Sequence, residues 1–114
     1  MIPPKLLKEI LADKYYKRCA RHEDGNCGGR ITFEHTLLFK GKQIQEKWSL
    51  IPLCEYHHDV LSYQDIGELN KEKNVWIALN RATDEELLKY SKAINYLELR
   101  DRLNKKYEKN TNII

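Results

Sequence analysis

The chain has 114 residues, 41% of them hydrophobic and 32% charged, which suits one domain with a modest core and argues against disorder. No apolar run approaches the roughly 18 residues of a membrane-spanning helix, and the N-terminal MIPPKLLKEILADK lacks the apolar centre of a secretory signal, so a soluble cytoplasmic protein without a membrane partner is expected. Lys and Arg number 20 against 17 Asp and Glu, and the resulting net charge of +3 permits nucleic-acid binding without requiring it.

Pro3 and Pro4 suit the approach to a helix and its first turn, and Leu6, Leu7, Ile10 and Leu11 recur at helical spacing. They predict an amphipathic helix over about Lys5–Tyr15. Cys19 to Gly29 follows as a loop, with Asp24-Gly25 and Gly28-Gly29 marking tight turns. Arg30–Glu34 (RITFE) and Trp48–Leu53 (WSLIPL) read as two antiparallel strands, joined by a polar excursion that turns at Gly41. After Cys54 no breaker occurs before Gly67, so a helix from near His57 to about Tyr63 is expected.

The last third reads as helical. Asn70 suits the cap of a segment through Trp76, Ile77 and Leu79, and Thr83-Asp-Glu-Glu86 has the spacing of a capping box opening a long helix. Leu87, Tyr90, Ile94 and Leu97 form one apolar stripe of that helix, and Tyr96, Leu99, Leu103 and Tyr107 a second. Both stripes can pack within the monomer, or the second can meet another copy in a homodimer through the C-terminal helix. Arg100, Arg102, Lys105, Lys106 and Lys109 suit the negative end of the helix dipole. With no internal repeat or linker, residues 1–114 are read as a single domain.

Three cysteines in a reducing compartment point to a metal rather than to a disulfide. Cys54-Glu-Tyr-His57 places a thiolate and an imidazole within reach of one ion, and Cys19 and Cys27 complete a closed Cys3His set for structural Zn2+. His22 competes with Cys27, since Cys19-Ala-Arg-His22 is the tighter spacing. Cys27 is preferred because Gly28 and Gly29 can turn their N–H groups toward a thiolate.

Glu34-His35 ends the first strand and His58 follows the ligand His57, so a carboxylate and two imidazoles outside the zinc set belong to elements that the hairpin and the metal pin near each other. With the order Cys, Cys, Glu-His, Leu-x-x-Leu-Cys-x-x-His-His, the stretch from Cys19 to Val60 resembles the HNH, or ββα-metal, endonucleases, in particular their zinc-stapled small phage-associated members. The resemblance implies an α+β fold: a hairpin-plus-helix core at about residues 19–62, an N-terminal helix and a C-terminal helical extension at about 70–110. It also implies hydrolysis of DNA phosphodiester bonds, with His35 as general base, His58 as a ligand of a catalytic divalent ion such as Mg2+ or Mn2+, and Glu34 either a second ligand of that ion or the salt-bridge partner of a nearby Lys or Arg. The family's central Asn aligns with Ser49, which either binds that ion weakly or braces the inter-strand loop. The alternative to an enzyme is a zinc-stabilised nucleic-acid-binding module. Lys40, Lys42, Gln43, Gln45 and Lys47 could reach phosphates from the inter-strand loop.

Overall fold

A computed structural model describes residues 2–60 and 67–112, with side chains described at 2–58 and 71–107. The fold mixes α and β: helix α1 (Pro4–Leu11), strands β1 (Ile31–His35), β2 (Leu38–Phe39), β3 (Lys42–Gln43) and β4 (Leu50–Cys54), then helices α2 (Gly67–Leu79), α3 (Asp84–Tyr90) and α4 (Tyr96–Asn112). A π-helical turn, Tyr56–Val60, follows β4 directly. Strands β1 and β4 pair antiparallel with Ile31 opposite Cys54 and His35 opposite Leu50, and β2 pairs with β3 as a separate small hairpin.

Every residue of β4 is buried, because elements cover both of its faces. Leu50 packs with Ile10 and Tyr16, while Ile51, Leu53 and Cys54 pack with Cys19 and with Ala78 of α2. Full burial of each such aliphatic side chain contributes on the order of 1.5–3 kcal/mol. Pro52 is tolerated because β4 is an edge strand on that side: its carbonyl points away from β1 and accepts from the Ala20 N–H at 2.8 Å, hanging the cysteine loop on the sheet. A third cluster joins Leu37, Ile44 and Trp48 of the inter-strand segment to Leu79, Leu87, Tyr96 and Leu103 of the helices.

Several local expectations are corrected. Helix α1 stops at Leu11, not Tyr15, because the Asp13 carboxylate accepts from the Tyr15 N–H and starts a separate 3-10 turn, Lys14–Lys17. Helix α2 begins at Gly67, so Asn70 lies inside its first turn rather than at its cap. The helix after Cys54 is the π-helical turn, and Tyr63 lies outside the described residues. The capping box of Thr83 and Glu86 is present, but the long helix it opens is two. Ser91 turns its hydroxyl back to the Leu87 carbonyl, and Asn95 receives the Leu97 and Glu98 N–H groups as a new N-cap. That break leaves Ile94 52% exposed, outside the stripe it was assigned to. The second stripe is used within the chain: Tyr96 and Leu103 are buried and Tyr107 stacks on Trp76.

Between the strands, the excursion is a β2–β3 hairpin whose tip, Lys40-Gly41, has positive φ at both residues, the pairing that a two-residue hairpin turn requires. Ser49, expected in a strand, closes a 3-10 turn just before β4 and is fully buried. Its hydroxyl lies 2.8 Å from the Ile44 carbonyl and 2.9 Å from that of Glu46, and its own carbonyl accepts from Thr36. The residue therefore braces the inter-strand segment. Replacing it, Ser49→Ala, is expected to cost about 1–3 kcal/mol in chemical denaturation, because a buried carbonyl loses its donor. Metal content should not change.

Candidate functional site

Cys19, Cys27, Cys54 and His57 converge although they come from three places in the chain. Cys54 ends β4, and His57 lies in the tight turn after it. The loop carrying Cys19 and Cys27 is tied back by Ala20 to Pro52, by Tyr56 N–H to the Gly28 carbonyl and by Glu55 N–H to the Arg30 carbonyl. Gly29 has φ +84°, and a Cβ there would come within 2.8 Å of the Glu55 side chain, so this close approach requires glycine.

The four ligand atoms lie within 4.8 Å of one another. The Sγ atoms of Cys54, Cys19 and Cys27 stand 3.2, 3.4 and 3.6 Å from His57 Nδ1. With Zn–S near 2.3 Å and Zn–N near 2.0–2.1 Å, the S···N edge of a tetrahedral site is about 3.6 Å, so the residues fit a structural metal such as zinc. The electrostatics agree. Desolvation of its sulfur and the neighbouring thiols of Cys54 and Cys19 push Cys27 up to about 12. Burial also opposes ionisation of Cys54, yet the backbone N–H groups of His57 and Gly28 and the adjacent thiols outweigh it and hold its pKa below the ordinary thiol value. Three sulfurs this close cannot all ionise without a counter-charge, which a divalent cation supplies. His57 is 1% exposed; burial first, then the Arg21 charge, depress its pKa and favour the neutral imidazole that a ligand must be. His22 stands outside this group, with its ring against Arg18.

His58, next in sequence to His57, faces another set of groups. Its Nδ1 is 2.6 Å from Thr32 Oγ1, and its Nε2 is 3.8 Å from Glu34 Oε1. Thr32 has one hydroxyl proton and gives it to the Leu53 carbonyl at 2.8 Å. Its bond to His58 therefore uses the imidazole Nδ1–H, and in the neutral ring the Nε2 lone pair is directed toward Glu34. Thr32 and Glu34 alternate onto one face of β1, and Phe33 and His35 onto the other. Of the Glu34, His35 and His58 set, the structure thus brings Glu34 and His58 side by side, while His35 bonds through Nε2 to Gln45 Oε1 at 3.0 Å. Ser49 spends its hydroxyl on carbonyls, as described above. Burial raises the Glu34 pKa, against the lowering effects of His58, Asn74, Lys71 and Arg21.

The sequence pattern does not mark Thr32, Asn74 or Arg21 as site residues, and it offers Gln45 only as a phosphate contact, whereas the structure places it on the His35 ring. Thr32 was legible in principle, two residues before Glu34 and hence on its face of the strand; the others come from distant loops and from α2. Of the basic residues in the inter-strand segment, Lys47 pairs with Asp13 at 2.7 Å, whereas Lys40 and Lys42 are exposed on the β2–β3 hairpin. Among the described residues no helix is long and apolar enough to cross a membrane.

Elemental analysis of protein purified without chelator is expected to give about one zinc per chain. A strong chelator should collapse the far-UV spectrum, since structural zinc contributes on the order of 10–16 kcal/mol against a whole-domain stability of roughly 5–15 kcal/mol. Cys54→Ser should lose the metal and His22→Ala should keep it; the reverse pattern would move His22 into the site. Comparison with models of protein families, with characterised proteins and with solved structures returns no match, so the geometry of these residues is what bears on function.

Proposed function

We propose that the chain is a zinc-stapled, metal-dependent endonuclease of the HNH type that hydrolyses phosphodiester bonds in DNA. The observation that carries this proposal is the juxtaposition of Glu34 Oε1 and His58 Nε2, 3.8 Å apart beside the Cys3His group. That separation is too long for a hydrogen bond and somewhat wider than two ligands of a small divalent ion at about 2.1 Å each, so a modest side-chain rotation would let both bind one ion. Thr32 keeps the His58 lone pair turned toward Glu34, the outer-sphere hydrogen bond that metal-ligating histidines ordinarily make. An ion held there, Mg2+ or Mn2+, would supply Lewis-acid stabilisation of charge on the scissile phosphate and the leaving oxygen. His35, the last residue of β1, lies on the strand face opposite Glu34 and is held at Nε2 by Gln45; its Nδ1 would take the proton of a water attacking a phosphate that extends past the strand end. Ser49 serves by bracing the segment that carries Gln45, and exposed Lys40 and Lys42 offer charge to the DNA backbone.

A second reading, a zinc-stabilised DNA-binding module, is favoured by one observation: Glu34 already accepts a hydrogen bond from Asn74 at 2.8 Å, as a purely structural carboxylate would. Plasmid cleavage with Mg2+, Mn2+ or Ni2+ separates the two. His35→Ala is expected to lower turnover about 10²–10⁴-fold with DNA affinity and zinc content retained, because a general base acts in the transition state. His58→Ala and Glu34→Gln should raise the ion concentration needed for half-maximal rate. Absence of cleavage by zinc-loaded wild type with every ion, together with retained DNA binding, would leave the binding module.

A further inference from the structure

Behind Glu34 runs a chain of polar groups that the proposed chemistry does not itself use. Asn74 of α2 is 1% exposed and Arg21 8% exposed. Asn74 Nδ2 donates to Glu34 Oε2 at 2.8 Å, and Arg21 Nη1 donates to Asn74 Oδ1 at 2.9 Å. Arg21 also meets Asp24 at 2.5 Å, and Lys73 reaches the same carboxylate at 2.8 Å. Burying an amide costs free energy unless its polar atoms find partners, and asparagine is a poor helix former, so neither packing nor helix propensity accounts for this residue.

The chain has a direction. Arginine has donors only, so the amide atom facing Arg21 must be the oxygen, and this determines that Nδ2 faces Glu34. Glu34 Oε2 is thereby engaged, and Oε1 is the oxygen left toward His58. Arg21 and Asp24 both lie in the loop between Cys19 and Cys27, so the loop organised by the Cys3His group also orients the amide.

We propose that Asn74 is a positioning residue for Glu34 and that Arg21 sets its orientation, coupling the zinc loop to the ion site. This inference rests on the ion-holding role proposed above for Glu34 and His58. The test is Mn2+ titration of zinc-loaded protein, read by calorimetry and by electron paramagnetic resonance. Asn74→Ala is expected to weaken Mn2+ binding about tenfold, with one zinc per chain and an unchanged far-UV spectrum. Added to Glu34→Gln, it should weaken binding no further, since the amide acts through that carboxylate. Asn74→Leu, larger but of the same branched shape and a better helix former, replaces it if the alanine variant does not fold. Unchanged Mn2+ affinity in a folded Asn74 variant would overturn the positioning role and leave the Glu34/His58 ion site standing. Wild type that binds no Mn2+, or binds it with an affinity indifferent to His58→Ala, would overturn the ion site and the positioning role together.

Discussion

The approach of three sulfurs to one imidazole nitrogen is the constraint on which the arrangement of this small domain depends. Cys19 and Cys27 belong to a loop rich in turn residues, with little regular structure of its own; Cys54 and His57 belong to the end of β4 and the turn beyond it. Without a cation, such a cluster confines polarisable, ionisable groups, and desolvation first, then the neighbouring thiols, raise the Cys27 pKa. With a divalent ion, the same geometry becomes a cross-link between distant parts of the chain, and binding free energy becomes folding free energy.

The rest of the fold keeps β4 buried and its neighbours in register. The Tyr16 hydroxyl lies 2.5 and 3.0 Å from the Lys47 and Leu50 carbonyls and accepts from Arg81, whose guanidinium also stacks 3.8 Å from the Tyr15 ring. One arginine after α2 therefore ties the N-terminal segment to the entrance of β4. Ser49 does the same for the inter-strand segment from the other side. Carbonyls that the short strands leave unpaired are satisfied by side chains, as buried backbone groups require.

Adjacent histidines serve different neighbourhoods because consecutive residues of a helical turn project in different directions. His57 points to the sulfurs, and His58 points across β4 to Thr32 and Glu34 of β1. The tight turn that brings one imidazole to the sulfurs thus delivers the second to the carboxylate, and Arg21 and Asn74 join the two neighbourhoods from behind. The Cys3His group and the Glu34/His58 pair are linked through the loop that carries Arg21 and through Asn74.

The four side chains of the Cys3His group, the two paired strands and the Thr83 capping box were legible in the sequence because each depends on residue chemistry: three cysteines with a Cys-x-x-His pair, β-branched runs near glycine, and a cap whose partner lies three residues away. The split between α3 and α4 was less legible, since Ser91 and Asn95 compete with helix propensity only through specific side-chain to backbone bonds. What only the tertiary structure decided is which groups meet. Thr32 assigns the His58 proton, Gln45 takes the His35 ring, Asn74 reaches Glu34 from 40 residues away in sequence, and Arg21 reaches Asn74 from 53. No periodicity records such meetings, because they arise from the packing of α2 and the cysteine loop against the sheet. By itself the sequence determined the chemistry available to this protein; the close packing around β4 decided where each polar atom points.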